Sequence, residues 1–264
     1  PLAPQTDAIF RSVKDNFISP LIAAFKIEAI NQDSTALVIK VNDIYDGTET
    51  SINNVFTNIN LGTSAIKNLS RILSIKSFPN NVVATSELTT KVTEGTTSVY
   101  VTVEVSSSIL LLPEKPMTGR FDNQKVGYFT NPLLSFSDAQ QGTDKKQYIT
   151  RWRMEPKPED REAYLKGQTV EPIKPIVFYI DNSTPYQWRS YIKKGIEDWQ
   201  TAFEKAGFKN AIIAKEITDS MHVDMDDVNY SVLTYAASEK KNAMGPSLLD
   251  PRSGEILEAD IMWW

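Results

Sequence analysis

The stretch NNVVATSELTTKVTEGTTSVYVTVEVSSSILLL, residues 80–112, constrains the fold more than any other part of the chain. It is dense in β-branched residues, and Thr93-Glu94-Gly95-Thr96 interrupts it as a turn would. Val99, Val101, Val103 and Val105 share one face, and Tyr100, Thr102 and Glu104 share the other. Period-two patterning on both sides of a turn predicts a long antiparallel hairpin. A second, shorter pair is expected in FKIEAINQDSTALVIKVNDIYDG, with its turn at Asn31–Ser34. Short helices are expected near Asp7–Asn16 and near Ser64–Ser74. Residues 1–150 therefore read as a β-rich domain.

Residues 151–173 read as a proline-rich connector. QYITRWRM just before and into it is expected to form a strand, and PEDREAYLKG a short helix ending at Gly167. From residue 174 the texture becomes α/β. PIVFYID is a continuous apolar run, as in a strand buried on both faces. Thr184-Pro185-Tyr186-Gln187 carries an N-cap, a first-turn proline and a capping-box glutamine. Apolar residues then recur at helical spacing through Trp188, Tyr191, Ile192, Ile196, Trp199 and Phe203, predicting one long helix stopped at Gly207. NAIIAKEI and YSVLTYAAS read as strands. GPSLL and EILEADIMWW flank the turn Asp250–Gly254 as a last hairpin-like pair. The fold class is α+β: an antiparallel β-rich domain, then a twisted sheet with one long helix over residues 174–264.

Composition excludes several functions. The chain has 264 residues and a formal net charge of −5, with no dense basic cluster, which argues against a nucleic-acid partner. Cysteine is absent and His222 is the one histidine, so thiolate metal sites, disulfides and multi-histidine metal sites are excluded within this sequence. No apolar run approaches the roughly 20 residues that span a bilayer. HExxH, GxSxG and glycine-rich phosphate loops are missing.

Candidate residues mostly read as structural. DSMHVDMDDVNY invites a calcium site, but an EF-hand loop from Asp224 would need glycine and glutamate where Asn229 and Tyr235 stand. A solvated loop, with His222 on its surface, is the expectation. Glu255, Glu258 and Asp260 lie two or three residues apart and read as the outward face of a strand. Trp188 and Trp199, with Tyr128, Phe129, Trp152 and Trp263, read as packing residues. Asn68-Leu69-Ser70 and Asn182-Ser183-Thr184 fit the glycosylation pattern. Ending on Ile261-Met262-Trp263-Trp264 is unusual for a terminus, and the chain opens on Pro1 without methionine. The expectation is a truncated piece of a larger protein, with the indoles covered by an element that follows.

Longer strings carry a resemblance. EPIKPIVFYIDNSTPYQWRSYIKKGIEDWQTAFEKAGFKNAIIAKE and NAMGPSLLDPRSGEILEADIMWW, with SSSILLLPEKPM, VGYFT and WRMEPK, are similar to a family of large secreted bacterial zinc-dependent metalloproteases of metzincin-like type. In that family a β-rich domain of unknown function precedes the peptidase domain. The resemblance implies that residues 174–264 are the N-terminal subdomain of the catalytic domain. The HExxHxxGxxH segment, with the zinc ligands and the glutamate that polarises the zinc-bound water, is then expected downstream of Trp264. Zinc would belong to the full-length parent, and no cofactor, metal ligand or catalytic residue is expected in this chain, which alone would be inactive. Met244, Gly245, Pro246, Ser247, Leu248 and Leu249 would form the edge strand beside the cleft and bind a peptide substrate by strand addition. The resemblance also implies a secreted, periplasmic or cell-surface location, with the rest of the catalytic domain as partner. Two alternatives stand beside this reading: a non-enzymatic secreted module that binds peptides or glycans, and a pro-segment that regulates the peptidase.

Overall fold

The computed structural model describes residues 3–264 except 60, 62, 63, 141, 219 and 240. The protein is mixed α+β, with mostly antiparallel sheets and few helices. It forms two compact units, residues 17–111 and residues 1–16 with 112–264.

The chain opens on helix α1 (Ile9–Asn16), which belongs to the second of these units. Asp138 accepts the Ala8 and Ile9 N–H groups at 2.6 and 2.8 Å, so a distant carboxylate satisfies donors at the helix start. Asp7 returns the bond by accepting the Asp138 N–H at 3.0 Å.

The unit 17–111 holds strands β1 (Ile27–Ile30) and β2 (Leu37–Ile39), single turns α2 (Asn42–Tyr45) and α3 (Val55–Asn58), and strands β3 (Arg71–Ser77), β4 (Asn81–Glu94) and β5 (Thr97–Leu110). β4 and β5 pair antiparallel without a break from Asn81↔Leu110 to Glu94↔Thr97, the hairpin expected from the valine pattern. The helix expected over Ser64–Ser74 is not formed. Lys67–Leu69 makes one 3₁₀ turn, and Arg71–Ser77 is a strand that pairs with β4. Tertiary pairing overrides local propensity here. Phe56, Ala65 and Leu88 form a small core, with Val103 and Val105 packed on it. Thr89 and Thr102 join their hydroxyls across the hairpin at 2.9 Å.

In the other unit, β6 (Thr130–Ser135) pairs antiparallel with β7 (Asp144–Ile149). Pro132 is accommodated because a two-stranded sheet has only edges, where proline is tolerated. QYITRWRM does not run as one strand. Thr150 separates β7 from β8 (Arg151–Trp152), which joins another sheet. Helix α4 (Arg161–Leu165) follows within PEDREAYLKG as expected.

Five strands make the main sheet: β9 (Ile176–Ile180), β10 (Ile212–Glu216), β11 (Ser231–Tyr235), β12 (Ala243–Met244) and, last in the chain, β15 (Ile261–Trp263). Their order is β10-β9-β11-β15-β12, parallel except for β12, which lies antiparallel at one edge. β13 (Ser247–Asp250) and β14 (Glu255–Ala259) join β8 in a three-stranded sheet. EILEADIMWW is therefore two strands in two sheets, divided at Asp260.

The expected long helix is broken into α5 (Tyr186–Glu197) and α6 (Gln200–Lys205). Gly207 closes it with φ +90°. Thr184 is not its cap: the helix begins after Pro185, and the Thr184 hydroxyl is buried with no partner among the described residues. Arg189 instead secures the entry. Its guanidinium is buried, donates to the Thr184 and Asn182 carbonyls at 2.8 and 3.0 Å, and stacks on Tyr186. Ile176, Phe178, Ile180, Ile196, Ile212, Ala214 and Leu233 form the main core. No described helix is long and apolar enough to cross a membrane.

Candidate functional site

The residues Met244–Leu249 do not form one edge strand. Met244 ends β12, opposite Met262 on β15. Ser247, Leu248 and Leu249 belong to β13, opposite Ala259, Glu258 and Ile256 on β14. Gly245 and Pro246 carry the chain from one sheet to the other. Pro246 can donate nothing, but its carbonyl accepts the Asp260 N–H at 3.1 Å. Met244 to Leu248 are exposed. At the edge itself, Asn242 and Trp264 exchange both main-chain bonds at 3.1 and 3.0 Å, so the next pair, Ala243 and Trp263, turns the Ala243 amide outward. The Asn242 carboxamide oxygen takes that Ala243 N–H at 2.9 Å.

Glu255, Glu258 and Asp260 do not form an outward face, and Asp260 is half-buried. Glu255 and Glu258 are each only 7% exposed. Arg153 grips Glu255 through Nε at 2.8 Å and Nη2 at 2.6 Å, a bidentate pair that holds the guanidinium pKa above its ordinary value. Asp250 is fully buried, and Arg252 donates to it through Nε and Nη2. That bond holds the Asp250 carboxyl below its ordinary range. Glu258 behaves oppositely. Burial, with a hydrogen bond to Asp260, pushes its carboxyl up to about 9.

The same arginines hold the chain segment that follows β5. Arg252 Nη2 donates to the Pro113 carbonyl at 2.6 Å, Arg153 Nη2 to Lys115 at 2.9 Å, and Arg151 Nη2 to Thr118 at 2.8 Å. PEKPMT, RWRM and DPRSGE thus meet in space, although they are far apart in sequence. Sequence reasoning missed this grouping because arginine alternation on a short strand carries no local signal.

The helices do not fill the space over the main sheet completely. A cavity of about 410 Å³ lies between α5, α6 and the strands, lined by Trp152, Phe178, Ile192, Trp199, Leu233 and Ile261 among other apolar residues. Trp199 is 64% exposed and Trp188 is also exposed, so these two do not pack in the core as expected. Tyr128 and Phe129 are exposed as well, Phe129 by 87%. Trp152 and Trp263 do pack on the core. Trp263 and Trp264 are half-buried, and both indole N–H groups are buried without an acceptor among the described residues.

In the Asp224 loop, Asp224 accepts the Asp226 N–H, and Asp227 accepts from Asn229. His222 is exposed. Among the described residues, no group of three His, Cys, Asp or Glu side chains is placed to hold a metal ion.

A family model described as a domain of unknown function, DUF5117, matches residues 1–157. The chain belongs to that family. The DUF5117 match takes in the unit 17–111, α1, and the strands β6 to β8. It stops short of the main sheet and of the candidate edge. No curated protein and no solved structure matches the chain.

Proposed function

We propose that this chain is the N-terminal portion of an exported zinc-dependent metalloendopeptidase. In this reading a DUF5117 domain precedes the upper part of a metzincin-like catalytic domain, and the segment that supplies zinc ligands and general base lies outside the sequence described. The observation that carries the reading is the open apolar cavity on the sheet face beside α5. Apolar-walled cavities of this volume are places where ligands and packing partners seat. A helix from the missing part of the catalytic domain would fill it. The strand–helix–strand order and the antiparallel edge strand beside an inner strand ending on Trp263 support the same reading.

The residues present do not fit a zinc site. The sequence has one histidine and no cysteine, and the described carboxylates gather into no ligand group. No hydrolytic step is therefore assigned to this chain. Its part would be to hold an extended peptide along the exposed edges of β12 and β13. The test is the reading frame past the codon for Trp264, which should encode two histidines one helical turn apart with a glutamate between them. A frame without such a pair overturns the proposal.

A second reading, a binding module without catalysis, draws on one observation. A polar cavity of about 350 Å³ lies beside β7, lined by Phe121, Asp122, Gln124, Lys145, Lys146 and Gln147. Amides, ammonium groups and an aromatic ring suit an acidic glycan or peptide. Retention on an immobilised acidic polysaccharide, abolished by Lys145→Glu, is the expected outcome; equal retention of both proteins contradicts it.

A further inference from the structure

We propose that two copies of this chain pair through β5, antiparallel about a two-fold axis at Thr102, so that their three-stranded sheets join into one. β5 is an outer strand of the sheet β3-β4-β5. The Leu111 N–H donates to the Asn80 carbonyl at 2.8 Å, one step past the pair Asn81↔Leu110. Hydrogen-bonded and non-bonded pairs alternate along an antiparallel ladder. The odd-numbered residues of β5 therefore turn their main-chain groups toward β4, and the even-numbered ones turn theirs outward. Ser98, Tyr100, Thr102, Glu104, Ser106 and Ser108 belong to the outward set, and all six are exposed.

The two edges of this sheet differ. β3 has 7 residues, shifts register between Ile72 and Ser74, and carries Arg71 and Lys76. Shortness, a bulge and basic side chains keep an edge from pairing. β5 has 14 residues, runs against β4 without a shift, holds no proline and bears Glu104 as its one charge. A long, even edge of that kind is a template for another strand.

Charge selects the occupant and the register. Arg71, Glu87 and Glu104 stand in one row across β3, β4 and β5. Arg71 Nε donates to Glu87 at 2.7 Å, while Glu104 makes no ion pair among the described residues. A cation is wanted next in that row. Lys91 stands opposite Tyr100 on the same hairpin, its ammonium 5.9 Å from the ring centroid. With the axis at Thr102, Tyr100 of the second copy lies beside Glu104, and Lys91 of that copy follows it in the row. Symmetry makes the same contact twice. An axis at Glu104 would set two glutamates face to face, and an axis at Val101 would set Ser98 there instead of Tyr100. The chosen register pairs outward amides with outward amides, Thr102 with its own copy and Ser98 with Ser106, for about ten main-chain bonds. None of this depends on the peptidase reading.

The experiment is sedimentation velocity of the whole chain from dilute to concentrated solution, with amide hydrogen exchange read at both ends. A monomer–dimer equilibrium is expected. The Tyr100, Thr102 and Glu104 amides should slow as the dimer forms, while those of Val101 and Val103 are protected throughout. Thr102→Pro should abolish the dimer and leave the monomer folded, because the lost N–H faces solvent. Glu104→Lys should weaken dimerisation about tenfold, and adding Lys91→Glu should restore it. That restoration reads the register, and it decides the matter if Thr102→Pro fails to fold. A monomer at every concentration, a dimer that survives Thr102→Pro or leaves the outward amides fast, or a charge swap that restores nothing overturns the proposal.

Discussion

Arg153 and Glu255 meet through two hydrogen bonds, at 2.8 and 2.6 Å, with the Glu255 side chain almost fully buried. The pair joins the residue after β8 to the start of β14, and the same guanidinium reaches the Lys115 carbonyl. Removing one partner leaves a buried charge alone, which costs far more than the net worth of the pair. Arg153→Ala should lower unfolding stability by about 2–4 kcal/mol in urea denaturation. Arg153→Met with Glu255→Leu should recover much of that loss.

Gly254 closes the β13–β14 turn with φ +75°, and a Cβ there would lie 2.5 Å from the Ile149 carbonyl oxygen. Backbone strain and steric clash act together. Gly254→Ala should destabilise by about 2–4 kcal/mol, read as a fall in thermal midpoint. Gly245→Ala should change it little, because its nearest neighbour is the Asp260 oxygen at an ordinary 3.6 Å.

Stability should fall on both sides of a mildly acidic optimum. The Asp250 carboxyl is held below its ordinary range, so its contribution is present above that range and is lost as pH falls through its folded value. Glu258 is raised to about 9, so its contribution is complete below the ordinary glutamate range and is lost as pH rises toward 9. Between those limits the unfolded chain releases a proton that the folded chain keeps. The slope is at most about 1.4 kcal/mol per pH unit. Subtracting the Glu258→Gln stability profile from that of the native protein between pH 5 and 9 should isolate this slope; identical profiles contradict it.

The open cavity should bind an apolar fluorescent dye. Trp199→Asp should weaken dye binding several-fold while changing stability by no more than about 0.5 kcal/mol, because Trp199 is largely exposed. Unchanged dye binding places the dye elsewhere.

Much of the architecture was legible in the sequence. The long hairpin, the buried strand Ile176–Ile180, the turn at Asp250–Gly254 and the stop at Gly207 each rest on a local pattern. What was illegible rests on partners distant in sequence. Arg71–Ser77 is a strand because β4 lies beside it. Thr130–Ser135 is a strand despite Pro132 because β7 supplies its pairing. EILEADIMWW carries no break signal, yet Asp260 divides it by binding Val232 and Pro246. Glu255 and Glu258 read as solvated, yet both are buried, and the strand that pairs beside Glu255 is β8, far back in the chain. Trp188 and Trp199 fit a core stripe, but the described residues provide no layer over that part of the helix.

Zinc content and peptide hydrolysis, measured side by side on this chain and on the polypeptide translated past Trp264, test the central claim most directly. The account predicts about one zinc per longer chain, as in a three-ligand catalytic site, with cleavage abolished by a chelator, and neither property in the 264-residue chain. A longer polypeptide that holds no zinc and cleaves nothing, or an equally active 264-residue chain, would contradict it.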